Sequence, residues 1–276
     1  MPASKTRSLL LAAGTIVVLA LGTAAPAAAQ ACGNDASGFS AWVESFRRDA
    51  AAQGISQGTV ASALGGVKYS NATIKLDRNQ GVFKQSFEQF SGRMIPPRMG
   101  RAKSMLSKYA DTFARIEAQF GVPKEVVVAI WGLETDYGAV SSKNSTLSAL
   151  ATLAYDCRRT DFFRGQLVDA LRIIDRGDLT AAQMLGGLHG EIGQTQFLPS
   201  SYVAFAIDFD GNGRSDLISS PVDVLGSTAN YLRGYGWQPG GDWSPGTPNF
   251  LVIKQWNKSD IYARTVAEFA RRLAAG

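Results

Sequence analysis

The stretch GVPKEVVVAIWGLETDYG, Gly121 to Gly138, carries an apolar helical run up to a carboxyl, Glu134, and follows it with turn-forming residues. Val127 and Ile130 stand seven and four residues before Glu134, so at the period of an α-helix all three share the apolar face. A carboxyl at the edge of a core loses hydration. Its charged form is disfavoured, its pKa rises, and it gains the property a general acid needs near neutral pH. The same pattern fits a glutamate that pairs with an arginine or emerges into water at the helix end.

Three further segments gather polar groups. In YDCRRTDFF, the adjacent Arg158 and Arg159 suit a carboxylate, a peptide stem or sugar hydroxyls, and equally a solvated surface. In GGLHGEIGQTQFLPSSY, Gly186 to Tyr202, the glycines let backbone approach a ligand, while Gln194, Gln196 and Tyr202 offer donors and acceptors of the kind that grip sugars. A turn before a helix opening at Pro199 explains the glycines without explaining both glutamines. His189, the only histidine, has no second metal ligand or nucleophile at useful spacing and is read as structural. Glu191 is either a second acid or an ordinary loop carboxylate. In DFDGNGRSDL, Asp208, Asp210 and Asn212 alternate, Gly213 permits a sharp turn, Arg214 offers its carbonyl and Asp216 follows, as in the opening of a calcium loop. Ser219 stands where a glutamate usually closes such a loop, and Asp223 on the next helix is the plausible replacement. The alternative is an Asn-Gly turn between short strands.

The elements that must position these groups are mainly α-helical. FSAWVESFRRDAAAQG puts Phe39, Trp42, Val43 and Phe46 on one stripe and ends at Gly54; MLSKYADTFARIEAQFG repeats the design from Met105 to Phe120. Pro123 suits a first helical position and Gly138 a stop. Further helices are expected in DFFRGQLVDALRIID, in SPVDVLGSTANYLRGYG and in SDIYARTVAEFARRL. The chief strand candidate is NFLVIKQW. Gly65 to Asp77 and Ser91 to Gly100 read as connectors.

Residues 1–29 have the form of an export signal, with Lys5 and Arg7 ahead of an apolar centre too short for a convincing membrane span and small residues at Ala27 and Ala29. Its removal leaves about 245 residues, enough for one elaborated domain or two lobes sharing a cleft. The formal net charge falls from +5 to +3, which does not point to nucleic acid. Hydrophobic residues make up 45% and charged residues 18%, which argues for a sizeable core and against disorder. The two cysteines, Cys32 and Cys157, most simply form a disulfide in an oxidising compartment. A lipid on Cys32 is the rival reading, although AQAC lacks the apolar residue usual three positions earlier.

Together these segments resemble the lytic murein transglycosylase B family, from about Gly121 to Trp237 through GLETDYG, LSALATLAYDCRR, GQTQFLPSSYVAFAIDFDGNGR and PVDVLGSTANYLRGYGW, and again at QWNKSDIYA. The resemblance implies a lysozyme-like helical core over 121–276, an additional N-terminal helical lobe over 30–120 and at most a small β element. It implies a periplasmic enzyme that cleaves peptidoglycan glycan strands between N-acetylmuramic acid and N-acetylglucosamine, leaving a 1,6-anhydromuramyl product. The family's single catalytic acid falls on Glu134. Its glycan and peptide contacts fall on Arg158, Arg159, Gln196, Phe197, Tyr231, Trp256, Asn257 and Tyr262, with Trp256 in place of a usual tyrosine. Its structural calcium falls within 208–223, on Asp208, Asp210, Asn212, the Arg214 carbonyl and Asp223, with one more residue before Asp223 than usual. No organic cofactor is implied. A hydrolytic muramidase on the same fold and a non-catalytic peptidoglycan-binding protein are the rival readings.

Overall fold

The computed structural model describes Met1 and residues 32–79, 85–140 and 142–276. The export segment expected over 1–29 lies, apart from Met1, outside the described residues. The chain folds through helices α1 (Phe39–Ala52), α2 (Gln57–Leu64), α3 (Asn71–Arg78), α4 (Phe87–Met94), α5 (Pro96–Lys108), α6 (Ala110–Phe120) and α7 (Lys124–Thr135). Strand β1 (Asn144–Ser145) leads into α8 (Thr146–Tyr155) and α9 (Thr160–Asp175), and β2 (Leu185–Gly186) precedes α10 (Pro199–Phe205), α11 (Pro221–Gly234), α12 (Pro248–Trp256) and α13 (Asp260–Ala274). The mainly helical frame is as expected. The β element is small: β1 and β2 pair antiparallel, Asn144 with Gly186 and Ser145 with Leu185.

Local chemistry sets the helix ends. Ser56, Ser70, Ser145, Ser220 and Ser259 each accept a first-turn N–H at the start of a helix. α6 stops at Gly121, whose φ of +65° is left-handed. α7 is buried at every position from Val126 to Leu133, the mark of a central helix apolar all round. It packs against α5, α6, α11 and α13. Residues Ala31–Gly276 form one compact unit.

The structure corrects several local readings. NFLVIKQW belongs to a helix, because Thr247 caps α12 and Pro248 opens it, outweighing the strand preference of its β-branched run. The supposed connectors are largely helical: α3 begins at Asn71 behind its Ser70 cap, and Ser91–Gly100 spans the end of α4 and the start of α5. The helix expected across Met105–Phe120 breaks at Tyr109, whose ring lies edge-on to Trp131 at 5.8 Å. Pro123 is the cap of α7 and not its first residue. Cys32 and Cys157 are joined by a disulfide with Cα atoms 4.9 Å apart, and the Gly33 N–H donates to the Tyr155 carbonyl, so the start of the described segment is tied to the end of α8.

Candidate active site

Glu134 sits on the last turn of α7, where the chain reverses through consecutive left-handed residues Asp136, Tyr137 and Gly138. Only Gly138 adopts that conformation cheaply, so surrounding contacts must hold the other two. Tyr137 Oη donates to the Arg98 carbonyl at 3.0 Å, and the Gly138 N–H donates to Thr135 Oγ1 at 3.1 Å. Thr135 Oγ1 in turn donates to the Gln194 carbonyl. A side chain at Gly138 would stand 2.4 Å from Gln194 Oε1, so the motif's last glycine admits the glutamine-rich turn.

The Glu134 carboxyl faces a cleft of about 400 Å³. Trp256 Nε1 donates to Glu134 Oε1 at 2.9 Å and Tyr262 Oη donates to the same oxygen at 2.6 Å. Burial raises the Glu134 pKa above its ordinary value; the two donors oppose that shift and the charge of Glu191 adds to it. Tyr262 is pushed well above the usual phenol range by burial and by the neighbouring Glu134, which keeps it a donor. With Oε1 engaged by two donors, the proton belongs on Oε2.

Seven of the anticipated residues line this one cleft: Glu134, Arg159, Gln196, Phe197, Tyr231, Trp256 and Asn257. Trp256 packs edge-on against Phe197 and Tyr231, with ring centroids at 5.2 and 4.8 Å. The loss of a tyrosine hydroxyl at position 256 therefore leaves a polar contact in place, because the indole N–H reaches Glu134. Tyr231 Oη is engaged with the Gln255 carbonyl at 2.8 Å. Gln196, at a φ of +53°, donates to the Gly193 carbonyl at 2.7 Å.

Others lie elsewhere. Tyr262 is buried and meets Glu134 without lining the cleft. Arg158 does not line it either: its guanidinium donates to the Asp77 carbonyl at 2.8 Å and to the Asp77 carboxylate, which also accepts from Arg159. Asp77, on α3, is only 2% exposed, and nothing in its local sequence links it to the arginine pair. Gln194 and Tyr202, read as sugar-gripping, hold the scaffold. Gln194 accepts from Trp131 Nε1 at 2.9 Å and donates to the Ile218 carbonyl at 2.9 Å, while buried Tyr202 donates to the Ser215 carbonyl. His189, read as structural, and Glu191 both line the cleft.

The acidic loop closes as a potential cation site. Carboxylate oxygens of Asp208, Asp210 and Asp223 lie within 4.8 Å of one another. Asp223 accepts N–H bonds from Phe209, Asp210 and Asp216, which carries it to the loop despite the extra residue before it. Asn212 Oδ1 accepts the Arg214 N–H at 3.2 Å, and the Arg214 guanidinium lies 3.6 Å from Asp216. Converging carboxylates with a nearby amide oxygen fit a hard cation such as calcium.

Known proteins share the sequence pattern and the fold. The membrane-bound lytic murein transglycosylase B of Escherichia coli (strain K12) is 38% identical over 156 residues, which are 54% of this chain and 43% of that protein's length. SltB3 from Pseudomonas aeruginosa, solved in complex with NAG-anhNAM-pentapeptide, superposes with a TM-score of 0.81 at 31% identity, covering 86% of this chain and 80% of that one. The Escherichia coli lytic transglycosylase Slt35 in complex with calcium gives a TM-score of 0.75 at 26% identity over 84% of this chain and 92% of that one. The Transglycosylase SLT domain matches residues 38–246, a span that takes in the buried glutamate, the arginine pair, the glutamine-rich turn and the acidic loop, and the chain accordingly belongs to that family.

Proposed function

We propose that this protein is a peptidoglycan lytic transglycosylase that cleaves the β-1,4 bond between N-acetylmuramic acid and N-acetylglucosamine and leaves a 1,6-anhydromuramyl end. The observation that carries the reading is the Glu134 carboxyl, its pKa raised by burial, one oxygen engaged by Trp256 and Tyr262, at a cleft rich in aromatic and amide groups. Protonated Glu134 gives its proton to the glycosidic oxygen as the bond to the muramyl anomeric carbon breaks. The substrate's acetamido oxygen closes on that carbon. Ionised Glu134 then takes the proton of the muramyl C6 hydroxyl as its oxygen displaces the acetamido oxygen. An internal nucleophile held near the reacting carbon supplies the proximity that an ordered water would otherwise have to supply. SltB3, a structural relative, is solved in complex with NAG-anhNAM-pentapeptide, which supports the reading.

Arg159, Gln196 and Asn257 hold glycan or peptide groups in this reading, Phe197, Tyr231 and Trp256 form the apolar wall, and Arg158 braces Arg159 through Asp77. Asp208, Asp210, Asn212, the Arg214 carbonyl and Asp223 hold a structural calcium, supported by the convergence of the carboxylates and by the calcium complex of Slt35. The enzyme works outside the cytoplasm, most simply in the periplasm, where a Cys32–Cys157 disulfide persists. In this reading α1–α6 form the N-terminal helical part and α7–α13 the catalytic core, within one compact unit.

Mass spectrometry of muropeptides released from purified sacculi tests the assignment. Anhydro ends, one water lighter than reducing ends, are expected; reducing ends alone make the protein a hydrolytic muramidase, and no release makes it a binding protein.

A further inference from the structure

The mechanism above employs one carboxyl, yet the cleft holds two. Glu191 lines the same cleft as Glu134 and comes from the turn that follows β2. That turn is fixed on both sides: Ile192 bridges both Gly186 and Phe197, and the Glu191 carbonyl accepts the Gly187 N–H at 3.1 Å. The carboxylate is seated too. Its Oε2 accepts the His189 N–H at 3.2 Å, and its Oε1 lies 3.6 Å from His189 Nδ1. A Cβ on Gly187 would stand 2.0 Å from Oε2, so the carboxylate fills a notch that a glycine leaves open. The side chain keeps 26% of its surface exposed, which leaves it able to meet a ligand.

Resting on the transglycosylase reading, we propose that Glu191 is a second catalytic carboxylate, which accepts the acetamido N–H of the muramyl residue being cleaved and balances the positive charge that develops there. When the glycosidic bond breaks, its electron pair leaves with the departing oxygen, which takes the Glu134 proton. The acetamido oxygen bonds to the anomeric carbon, and the positive charge spreads onto the acetamido nitrogen. A fixed carboxylate at that nitrogen stabilises charge where it develops and needs no reorganisation at the moment of reaction. When the C6 oxygen displaces the acetamido oxygen and its proton passes to Glu134, the positive charge vanishes. Glu191 neither gains nor loses a proton or a bond. The division of labour follows from surroundings: desolvation raises the Glu134 pKa and favours its protonated form, and the negative charge of Glu191 adds to that shift.

The test compares the full chain with its Glu191→Gln and Glu191→Asp variants on defined peptidoglycan oligomers, reading kcat, KM, the pH profile and product mass. Glutamine retains an acceptor for the His189 N–H, and melting curves check that each variant is folded. Glu191→Gln is expected to lower kcat by roughly a hundredfold, the size of effect seen when one group that stabilises developing charge is removed, with KM changed much less. Glu191→Asp should recover part of the loss. The alkaline limb should move to lower pH in Glu191→Gln, because removing a negative charge eases ionisation of Glu134. The other groups that contact Glu134 or share its cleft are Trp256 from α12, Tyr262 from α13, Tyr231 from α11, Arg159 at the start of α9 and His189 from the turn. The His189 imidazole lines the same cleft, so the profile is repeated in a His189→Asn background, where the same shift is expected. An unmoved kcat and limb would overturn the proposal and make Glu191 a loop carboxylate. Reducing ends whose share falls in Glu191→Gln would also overturn it, assigning Glu191 to water activation. Failure of the transglycosylase reading is separately visible, since the unmodified chain would then release no anhydro ends.

Discussion

Trp256 Nε1 donates to Glu134 Oε1 across 2.9 Å, joining residues 122 positions apart in the chain. An indole N–H can only donate, so this oxygen is held as an acceptor whichever way the carboxyl titrates. Removing the donor by Trp256→Phe should let the Glu134 pKa rise further, because the bond favours the charged form. The alkaline limb of kcat/KM should then move to higher pH, and kcat should fall roughly tenfold or more as the acid loses its positioning. Trp256→Tyr, which restores a donor, should reverse part of both effects. A pH–rate series across the three proteins checks this, and an unmoved limb in Trp256→Phe counts against the contact.

Glu134→Gln should keep the fold and glycan binding while turnover falls to background, measured by muropeptide release and a binding assay. It also carries a stability signature. The folded pKa of Glu134 lies above the unfolded one, so the proton-linked stability is fully present below the unfolded value near 4.5 and is lost as pH rises through the raised folded value. Glutamine does not titrate. Its melting temperature should therefore gain on the wild type as pH rises through that window and converge with it in acid. A difference that does not vary with pH would mean Glu134 is not desolvated.

Asp77 ties α3 to both arginines, and Arg159 among them reaches the cleft. Asp77→Asn should cost about 1–3 kcal/mol of stability, as expected for charge-assisted hydrogen bonds to a buried carboxylate. The kinetic effect should fall on KM for peptide-bearing strands more than on kcat, because Arg159 is loosened while Glu134 is untouched. Chemical denaturation together with kinetics on stripped and peptide-bearing glycan separates the two effects. Equal KM changes on both substrates would remove the peptide role from Arg159.

Calcium at 100 times its Kd should add about 2.7 kcal/mol to the folded state by mass action, raising the melting temperature. Asp208→Asn should abolish that rise with a smaller effect on the metal-free protein, since Asp208 is less buried than Asp223 and its N–H bonds, from Gly211, Asn212 and Gly213, stay within the loop, whereas fully buried Asp223 ties the loop to α11 through N–H bonds from Phe209, Asp210 and Asp216. Calorimetric melts over a chelator series read both effects. A melt indifferent to calcium in the unmodified chain would reject the site.

Short-range pattern determined much of this molecule. The α7 stripe, its glutamate and the turn behind it were legible from the positions of Val127, Ile130, Glu134 and Gly138, because a helix repeats over four residues and a core selects apolar side chains. Serine and threonine caps are equally local, and Thr247 with Pro248 marks the start of α12 in a run whose β-branched residues favour a strand. Tertiary structure alone decided that Trp256 and Tyr262 meet Glu134 on one oxygen, that buried Asp77 on α3 holds both arginines, and that Tyr202 turns into the core while Glu191 and His189 enter the cleft. Those outcomes depend on how helices dock and where a turn folds back. Contacts between residues so distant in the chain follow from the packing of the whole core, and no local spacing encodes them.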